Sequence, residues 1–446
     1  MDIHQFEDKG LAHYSYAIYS EIVKEIILID PSRDITPYLE YANSMNATIV
    51  GVIETHPHAD FISSHLELHH ATGARIYCSA LTGASYPHTA FDEGASLRLG
   101  NIILKALNTP GHSPDSISIV LTHGGEDRAV FTGDTLFIGD CGRPDLRENA
   151  GNITADRNTL AKQMYYSLRN KLLVLGDDVL VYPAHGAGTL CGKSLSDADS
   201  STIAAEAVSN WSLQPSTEAD FVAELLSQQP FIPKYFPYDV AINREGAPDL
   251  QPALEKVPII SGEPVPEGNV VIIDSRPAAA FKQGHLPNAI NLQNGGKFET
   301  WLGSIIAPGE PYYLLAANDQ ELWQLIRKAA KIGYETNIKA AAVTNGGAVT
   351  MESMPLANFR EHPEQYTIVD VRMASESKEE PIFENALSIP LDQLRERVTE
   401  IPTGKPVVVH CAGGYRSAAG SSIVAAALKD KVKIYDLGDA VKEFAF

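Results

Sequence analysis

Short apolar runs ending in polar or glycine-containing clusters dominate the first half of the chain: 26–29, 48–53, 102–107, 117–121, 129–131 and 179–182. Such runs, bounded by turn residues, predict a β-rich segment with helices interspersed. Then Pro230, Pro233, Pro237, Pro248, Pro252, Pro258, Pro264 and Pro266 crowd together. Prolines at this density interrupt any helix or central strand and predict a linker wrapped over a surface. Beyond it the pattern repeats. Ile272-Ile273-Asp274-Ser275-Arg276 answers to Ile368-Val369-Asp370-Val371-Arg372, and Pro287-Asn288-Ala289-Ile290 to Glu384-Asn385-Ala386-Leu387. Pro311-Tyr312-Tyr313-Leu314-Leu315 likewise answers to Pro406-Val407-Val408-Val409-His410, giving a period of about 96 residues. Apolar strands alternating with helical patterns read as a parallel α/β sheet. The predicted organisation is a domain over 1–245, a linker at 246–261, and two α/β copies at 262–353 and 354–446.

Composition narrows the class. The 446 residues are 44% apolar and 20% charged, which excludes a disordered, collagen-like or coiled-coil chain. The formal charge of −21 repels phosphate backbones and anionic headgroups, so neither nucleic acid nor a membrane is an expected partner. The first ten residues lack a signal-peptide pattern, and no apolar run reaches the roughly 18 residues of a membrane span, so a cytoplasmic protein is expected. Cys78, Cys141, Cys191 and Cys411 form no CxxC pair, which fits a reducing compartment where each thiol acts singly. An acidic chain of this kind is compatible with a homo-oligomer as well as a monomer.

Four polar elements follow predicted strands: Thr55-His56-Pro57-His58-Ala59-Asp60, Gly111-His112-Ser113, Gly133-Asp134-Thr135 and Pro183-Ala184-His185-Gly186. Imidazoles suit iron or zinc, a carboxylate adds charge, and Gly111, Gly133 and Gly186 permit the turns that aim these side chains inward. Near the carboxyl end, the apolar strand 407–409 leads to Cys411-Ala412-Gly413-Gly414-Tyr415-Arg416 and an Ala-rich helix. A cysteine between a strand end and a helix start is a reactive thiol, because successive backbone N–H groups, the helix dipole and Arg416 favour the thiolate and bound anions.

The order HxHxD, GHS, GDT, PAH resembles the metallo-β-lactamase fold, a four-layer αβ/βα sandwich, over about residues 1–245. Glyoxalase-II-type zinc hydrolases of this fold continue the first motif to HxHxDH, whereas this chain has Phe61, which cannot coordinate. The resemblance to the persulfide dioxygenase branch implies one Fe(II) per chain held by His56, His112 and Asp134, with open positions for substrate and O₂. His58, Asp60 and His185 then orient the ligands or hold a water. The stretch from Thr135 to Asp145 is similar to the same branch and implies that Cys141 and Arg143 face the substrate. Cys191 stands near where relatives carry an acid and a tyrosine, and is either a persulfide relay or a buried residue.

Asp370-Val371-Arg372 together with the Cys411 to Arg416 loop resembles the rhodanese fold. That resemblance implies that Cys411 carries sulfane sulfur, Arg416 clamps the anion, and Asp370 and Arg372 lie on the substrate side. Rhodanese-like phosphatases have a loop one residue longer between cysteine and arginine, so the resemblance, with four residues between Cys411 and Arg416, implies sulfur rather than phosphate chemistry. Offset alignment puts Ala316 opposite Cys411 and Glu321 opposite Arg416, so the first copy is expected to be inactive. The expected fold class is therefore α/β multidomain: a metallo-β-lactamase sandwich followed by two rhodanese-like, doubly wound parallel domains. The implied function is oxidation of low-molecular-weight thiol persulfides by O₂ to sulfite, then transfer of sulfane sulfur through Cys411 to sulfite, giving thiosulfate in bacterial sulfide detoxification. The alternatives are a zinc thioester hydrolase fused to a sulfurtransferase and a non-enzymatic sulfur carrier; the thiol that carries the persulfide stays open.

Overall fold

Two faces of each central strand bury different cores, and this sorting builds the first unit. In the computed structural model, which describes every residue except 149, 154, 194, 197, 266, 429, 430, 445 and 446, that unit comprises Met1–Ala253 with Lys331–Gly333. Pro266 of the proline-rich stretch thus lies outside the described residues. One sheet contains β1 (Asp2–Asp8), β2 (His13–Ser20), β3 (Glu25–Ile29), β4 (Thr48–Ile53), β5 (Arg75–Cys78) and β6 (Thr89–Ala90) in chain order. The other contains β7 (Ser96–Leu99), β8 (Ile102–Asn108), β9 (Ile117–His123), β10 (Glu126–Gly133), β11 (Leu180–Pro183) and β12 (Ser201–Thr202), ordered β12-β11-β10-β9-β8-β7.

Tyr16, Ile18, Ile27, Ile29 and Ile53 of the first sheet share a core with Leu104, Ala106, Ile119, Leu121 and Phe131 of the second. Their alternating neighbours Ala17, Tyr19, Ile26, Leu28 and Val52 pack instead with Tyr38 and Ala42 of the helix Thr36–Ser44 and Leu68 of the helix His65–Thr72. On the far face of the second sheet, Val120, Val130 and Val181 meet Ala161 and Met164 of the helix Arg157–Ser167. Because strand side chains alternate, one sequence serves both faces, and the result is helix, sheet, sheet, helix. Each buried aliphatic or aromatic side chain stabilises this arrangement by about 1.5–3 kcal/mol. The amino-terminal hairpin lies outside the expected runs. β2 reads His-Tyr-Ser-Tyr-Ala-Ile-Tyr-Ser, polar by composition, yet all of it is buried.

The proline-rich stretch differs from the expected linker. It carries the helices Phe236–Glu245 and Leu250–Glu255. Pro237 sits in the first turn of the former, where a backbone N–H has no intrahelical partner to lose, and Gly246 ends it. Prolines read as breakers here start helices.

The second unit comprises Leu254–Ala330 and Tyr334–Phe446. Strands β13 (Val271–Asp274), β14 (Ala289–Asn291), β15 (Tyr312–Ala316) and β16 (Ile338–Val343) form a parallel sheet ordered β14-β13-β15-β16. Strands β17 (Thr367–Asp370), β18 (Leu387–Ser388), β19 (Val407–His410) and β20 (Ile434–Asp436) repeat it as β18-β17-β19-β20. The expected repeat is thus an architectural one. The copies touch where the Asn291 N–H donates to Ser422 Oγ of the helix Tyr415–Leu428, at 2.9 Å.

A Cβ at Gly142 would overlap the Asp134 carbonyl oxygen and stand 3.1 Å from the His112 Cβ. Backbone cannot give way as a side-chain tip can, so Gly142→Ala is expected to destabilise the first unit by about 3 kcal/mol. A lower denaturant midpoint for that unit checks this.

Candidate functional site

β4 and β10 end close together, and the loops after them, with those after β8 and β11, converge on Asp134. Its carboxylate is 1% exposed and neither oxygen has a hydrogen-bond partner among the described residues. Three imidazoles face it. His112 Nε2 lies 3.4 Å and His56 Nε2 3.8 Å from Oδ2, while His185 Nε2 lies 3.5 Å from Oδ1. The partners of the other ring nitrogens set the tautomers. His112 Nδ1 is 2.9 Å from the Arg143 carbonyl and His185 Nδ1 3.1 Å from the Ala12 carbonyl, and a carbonyl only accepts. Thr55 Oγ1 donates its single proton to Asp30 Oδ2 at 2.7 Å, so it accepts from His56 Nδ1 at 3.0 Å. All three Nε2 atoms therefore face the carboxylate. Burial, reinforced by the neighbouring His58 and His112, holds His56 well below the usual imidazole range, and burial lowers His112 too. The neutral imidazoles of His56 and His112 beside a bare carboxylate are the donor set of a cation. The donor atoms of His56, His112 and Asp134 all lie within 4.8 Å of one another, near enough to hold one metal ion.

His58, Asp60 and His185 form an adjoining donor group, with His185 Nε2 3.5 Å from Asp60 Oδ2. His58 Nε2 lies 3.1 Å from Asp30 Oδ1; burial opposes its charge, but Asp30 and Glu54 outweigh that and raise it to about 9. Asp30, whose oxygens also take the Thr55 N–H and hydroxyl, thus links His58 to His56. Phe61 packs its ring 4.4 Å from that of His58.

Some residues that hold this centre escaped the sequence reading. Asn243 Nδ2 donates to the His58 and Phe61 carbonyls at 2.8 and 2.7 Å, and its Oδ1 accepts from Ser63 N–H. It comes from the helix Phe236–Glu245, inside the stretch read as a linker; Pro237 followed by an apolar pattern and Gly246 was the available signal. Arg147 grips Asp115 with two bonds of 2.8 and 3.1 Å, both residues buried beside the His112 loop. Cys141 and Arg143 differ from expectation. Cys141 is packed in an apolar core with Val120 and Leu136, and burial pushes its thiol up. Arg143 is 1% exposed, bidentate to Asp145 at 2.7 and 2.8 Å, and bonded to the Leu190 and Phe231 carbonyls. Its guanidinium is spent on bracing. Cys191, also buried, has its sulfur within 4.8 Å of donor atoms of both Asp134 and His185.

In the second unit β19 delivers Cys411 to a loop before the helix Tyr415–Leu428. Its Sγ accepts the N–H groups of Gly414 at 3.1 Å and Ser417 at 3.3 Å. Gly414 has φ +93°, a conformation that L side chains rarely adopt. Arg416 is not free over the loop: both terminal nitrogens bind Glu376, at 2.6 and 2.8 Å. Glu376, missed from sequence, also accepts the Met373 N–H at 2.9 Å as a helix-capping carboxylate, so the signal was a Glu three residues into a helix. Asp370 and Arg372 are buried and bonded to each other, and Arg372 reaches the Glu380 carbonyl. Asp274 and Arg276 repeat this brace onto Gly284 in the copy that has Ala316 in place of a cysteine.

A four-layer sandwich with a His/Asp cluster at its strand ends, followed by two parallel domains of which one keeps a cysteine loop, defines a metal-site domain joined to a thiol-bearing repeat. The chain belongs to the metallo-beta-lactamase superfamily, matched over residues 9–185, and carries two rhodanese-like domains, matched over 263–348 and 356–439. It is 30% identical over 174 residues to the mitochondrial persulfide dioxygenase ETHE1 of Homo sapiens, covering 39% of this chain and 63% of that protein, just under two thirds of its length. It is 25% identical over 201 residues to the probable polyketide biosynthesis zinc-dependent hydrolase BaeB of Bacillus velezensis, covering 44% and 83%. A solved metallo-beta-lactamase from Staphylococcus aureus subsp. aureus COL is 31% identical with a TM-score of 0.69, covering 77% of this chain and 98% of that one. Among the described residues no helix is long and apolar enough to cross a membrane.

Thr55→Val keeps the shape but removes the acceptor for His56 Nδ1, and is expected to weaken metal binding about 10–100-fold, measured by competition with a chelator. Glu376→Gln loosens Arg416 and is expected to lower kcat/KM for sulfur transfer from thiosulfate to cyanide about tenfold.

Proposed function

We propose that the chain is a persulfide dioxygenase joined to a sulfurtransferase. The observation that carries this reading is the buried group of His56 Nε2, His112 Nε2 and the Asp134 carboxylate, two imidazoles and one carboxylate aimed at one point. That donor set suits a single non-haem Fe(II), which when bound supplies electrons and neighbouring open positions for O₂ and an anionic sulfur. The ETHE1 relative's activity and the rhodanese-like domains support the same direction. The overall reaction is RS–SH + O₂ + H₂O → RSH + sulfite + 2H⁺. Thr55 and the Arg143 carbonyl keep protons on the outer nitrogens of His56 and His112, and the buried surroundings exclude bulk water. Arg143 positions His112 through its carbonyl. His58, Asp60 and His185 orient the ligands, and Cys141 fills core.

In the second activity Cys411 Sγ attacks the outer sulfur of another persulfide. The sulfur–sulfur bond breaks, the thiol RSH departs, and Cys411 holds a persulfide. Sulfite then attacks that outer sulfur, thiosulfate leaves, and the electron pair returns to Cys411 Sγ, where the Gly414 and Ser417 N–H groups receive it. Arg416, fixed by Glu376, favours anions at the loop; Asp370 and Arg372 brace the strand end. The copy with Ala316 and Glu321 is inactive. Small thiol persulfides, O₂ and sulfite are the partners, and a cytoplasmic location accords with this. The donors His58, Asp60 and His185 favour a second reading, a zinc thioester hydrolase, and the same experiment separates the two.

Fe(II)-loaded protein given a small-molecule persulfide anaerobically and then O₂ is expected to consume O₂ and release sulfite and thiosulfate. A zinc-loaded sample should do neither; thioester hydrolysis by the zinc form, with no O₂ uptake by the iron form, overturns the reading. Cys411→Ala should abolish thiosulfate formation and leave O₂ uptake, while His112→Ala should abolish O₂ uptake and leave sulfur transfer from thiosulfate to cyanide.

A further inference from the structure

Gly414, whose N–H donates to Cys411 Sγ at 3.1 Å, packs against the turn that begins at Gly438. A Cβ on Gly414 would stand 3.2 Å from Asp439 N and 3.2 Å from the Gly438 carbonyl carbon, so loop and turn touch through main chain alone. Asp436, at the end of β20, sets that turn: its Oδ1 accepts the Gly438 N–H at 2.9 Å. Its Oδ2 lies 2.7 Å from Lys282 Nζ, which comes from the helix Ala278–Gln283 of the cysteine-less copy. Asp436 is buried and Lys282 partly so, whereas Asp439 pairs with Lys442 at 3.2 Å in solvent. A buried carboxylate this near the loop repels any anion held there unless a cation balances it. Lys282 is such a cation, and its main chain is held too, since its carbonyl accepts the Met351 N–H at 3.0 Å.

We propose that Lys282 is a positioning residue for sulfur transfer, acting through Asp436: it fixes the turn behind Gly414 and cancels a negative charge where the loop receives thiosulfate and sulfite. The proposal rests on the sulfurtransferase reading of Cys411 and gives the cysteine-less copy a part in a reaction it cannot perform. The Cys411 thiolate, its persulfide, thiosulfate and sulfite are all anions, and Arg416 with the Gly414 and Ser417 N–H groups receives them. Arg416 already carries Glu376 on both terminal nitrogens, and Asp370 on the neighbouring strand carries Arg372. Asp436 is a further carboxylate beside the loop, and its cation comes from the other copy. Without Lys282 the balance at the loop shifts by one negative charge.

The test compares the full chain with Lys282→Met, Lys282→Arg, Asp436→Asn and the double variant Lys282→Met with Asp436→Asn. In sulfur transfer from thiosulfate to cyanide, Lys282→Met is expected to raise KM for thiosulfate about fivefold at low salt, with a smaller change in kcat. The difference should shrink at high ionic strength. Lys282→Arg and the double variant should return to the wild-type KM, because the asparagine oxygen still accepts the Gly438 N–H while the uncompensated charge is gone. Asp436→Asn alone should leave KM no higher than wild type. An unchanged KM in Lys282→Met, or a double variant as impaired as Lys282→Met, overturns the inference. A second measurement does not depend on turnover: the rates of Cys411 alkylation by anionic iodoacetate and neutral iodoacetamide, read by mass spectrometry of the Cys411 peptide. Both reagents attack the same thiolate, so the ratio of rates cancels its population and reports the local charge. Lys282→Met should lower the iodoacetate-to-iodoacetamide ratio about fivefold and the double variant restore it; an unchanged ratio overturns the inference. Wild type that transfers no sulfur sinks the sulfurtransferase reading, and the alkylation ratio then still decides whether Lys282 balances the charge at the loop.

Discussion

An unpaired carboxylate buried among imidazole lone pairs is the interaction around which the first unit is built. Burying a charge without a partner costs several kcal/mol, and neither Asp134 oxygen has a hydrogen-bond partner among the described residues. The fold carries that cost only because the remaining bonds over-determine the arrangement. Ala12, Thr55 and Arg143 fix the three imidazoles from behind, Asp30 holds Thr55, and Asn243 ties down the loop that bears His58. A cation held between His56, His112 and Asp134 would convert mutual repulsion into attraction at these positions. The sandwich supplies the rigidity: its inner faces are packed across both sheets, so the strand ends that launch these loops cannot drift apart.

The two copies in the second unit separate what a fold needs from what a reaction needs. Both keep the Asp–Arg brace, Asp274 with Arg276 and Asp370 with Arg372, and in both the arginine also reaches a carbonyl of the following helical segment. A feature retained where the cysteine is missing serves the strand end and not the sulfur. Conversely, Cys411, Arg416 and Glu376 stand where the first copy has Ala316, Glu321 and Ala280. Losing Arg416 alone would strand Glu376 half-buried beside the loop, and losing both removes the penalty. The first copy still bears on the loop, for the Tyr415 hydroxyl donates to the Gln293 carbonyl at 2.8 Å.

What was readable in advance follows from how local each signal is. Strand ends carrying His56, His112, Asp134, His185 and Cys411 are marked by glycine, proline and apolar runs within a few residues, so their positions at strand ends were legible. The repeat was readable because parallel strands buried on both faces are continuous apolar runs. The environment of Cys141 and Arg143 was not, because Asp145 is near but Leu190 and Phe231 are long-range partners, and nothing local distinguishes a guanidinium spent on carbonyls from one facing a substrate. The helix bearing Asn243 was hidden for the opposite reason: its prolines are strong local signals whose meaning depends on whether they stand at a helix start or inside one. β2 was hidden by its tyrosines and serines, which two opposed layers bury whole.

Arg143 joins these arguments. Its guanidinium is bidentate to Asp145, its carbonyl sets the His112 tautomer, and its N–H holds the carbonyl of Cys191. The side chain therefore anchors a backbone segment that serves both sides of Asp134 at once. Moving that segment would withdraw an imidazole from one side and a thiol from the other, so the two donor groups cannot be tuned independently. A residue whose position suggested substrate contact instead couples the geometry of the two sides, and it does so through main-chain atoms that no side-chain motif encodes.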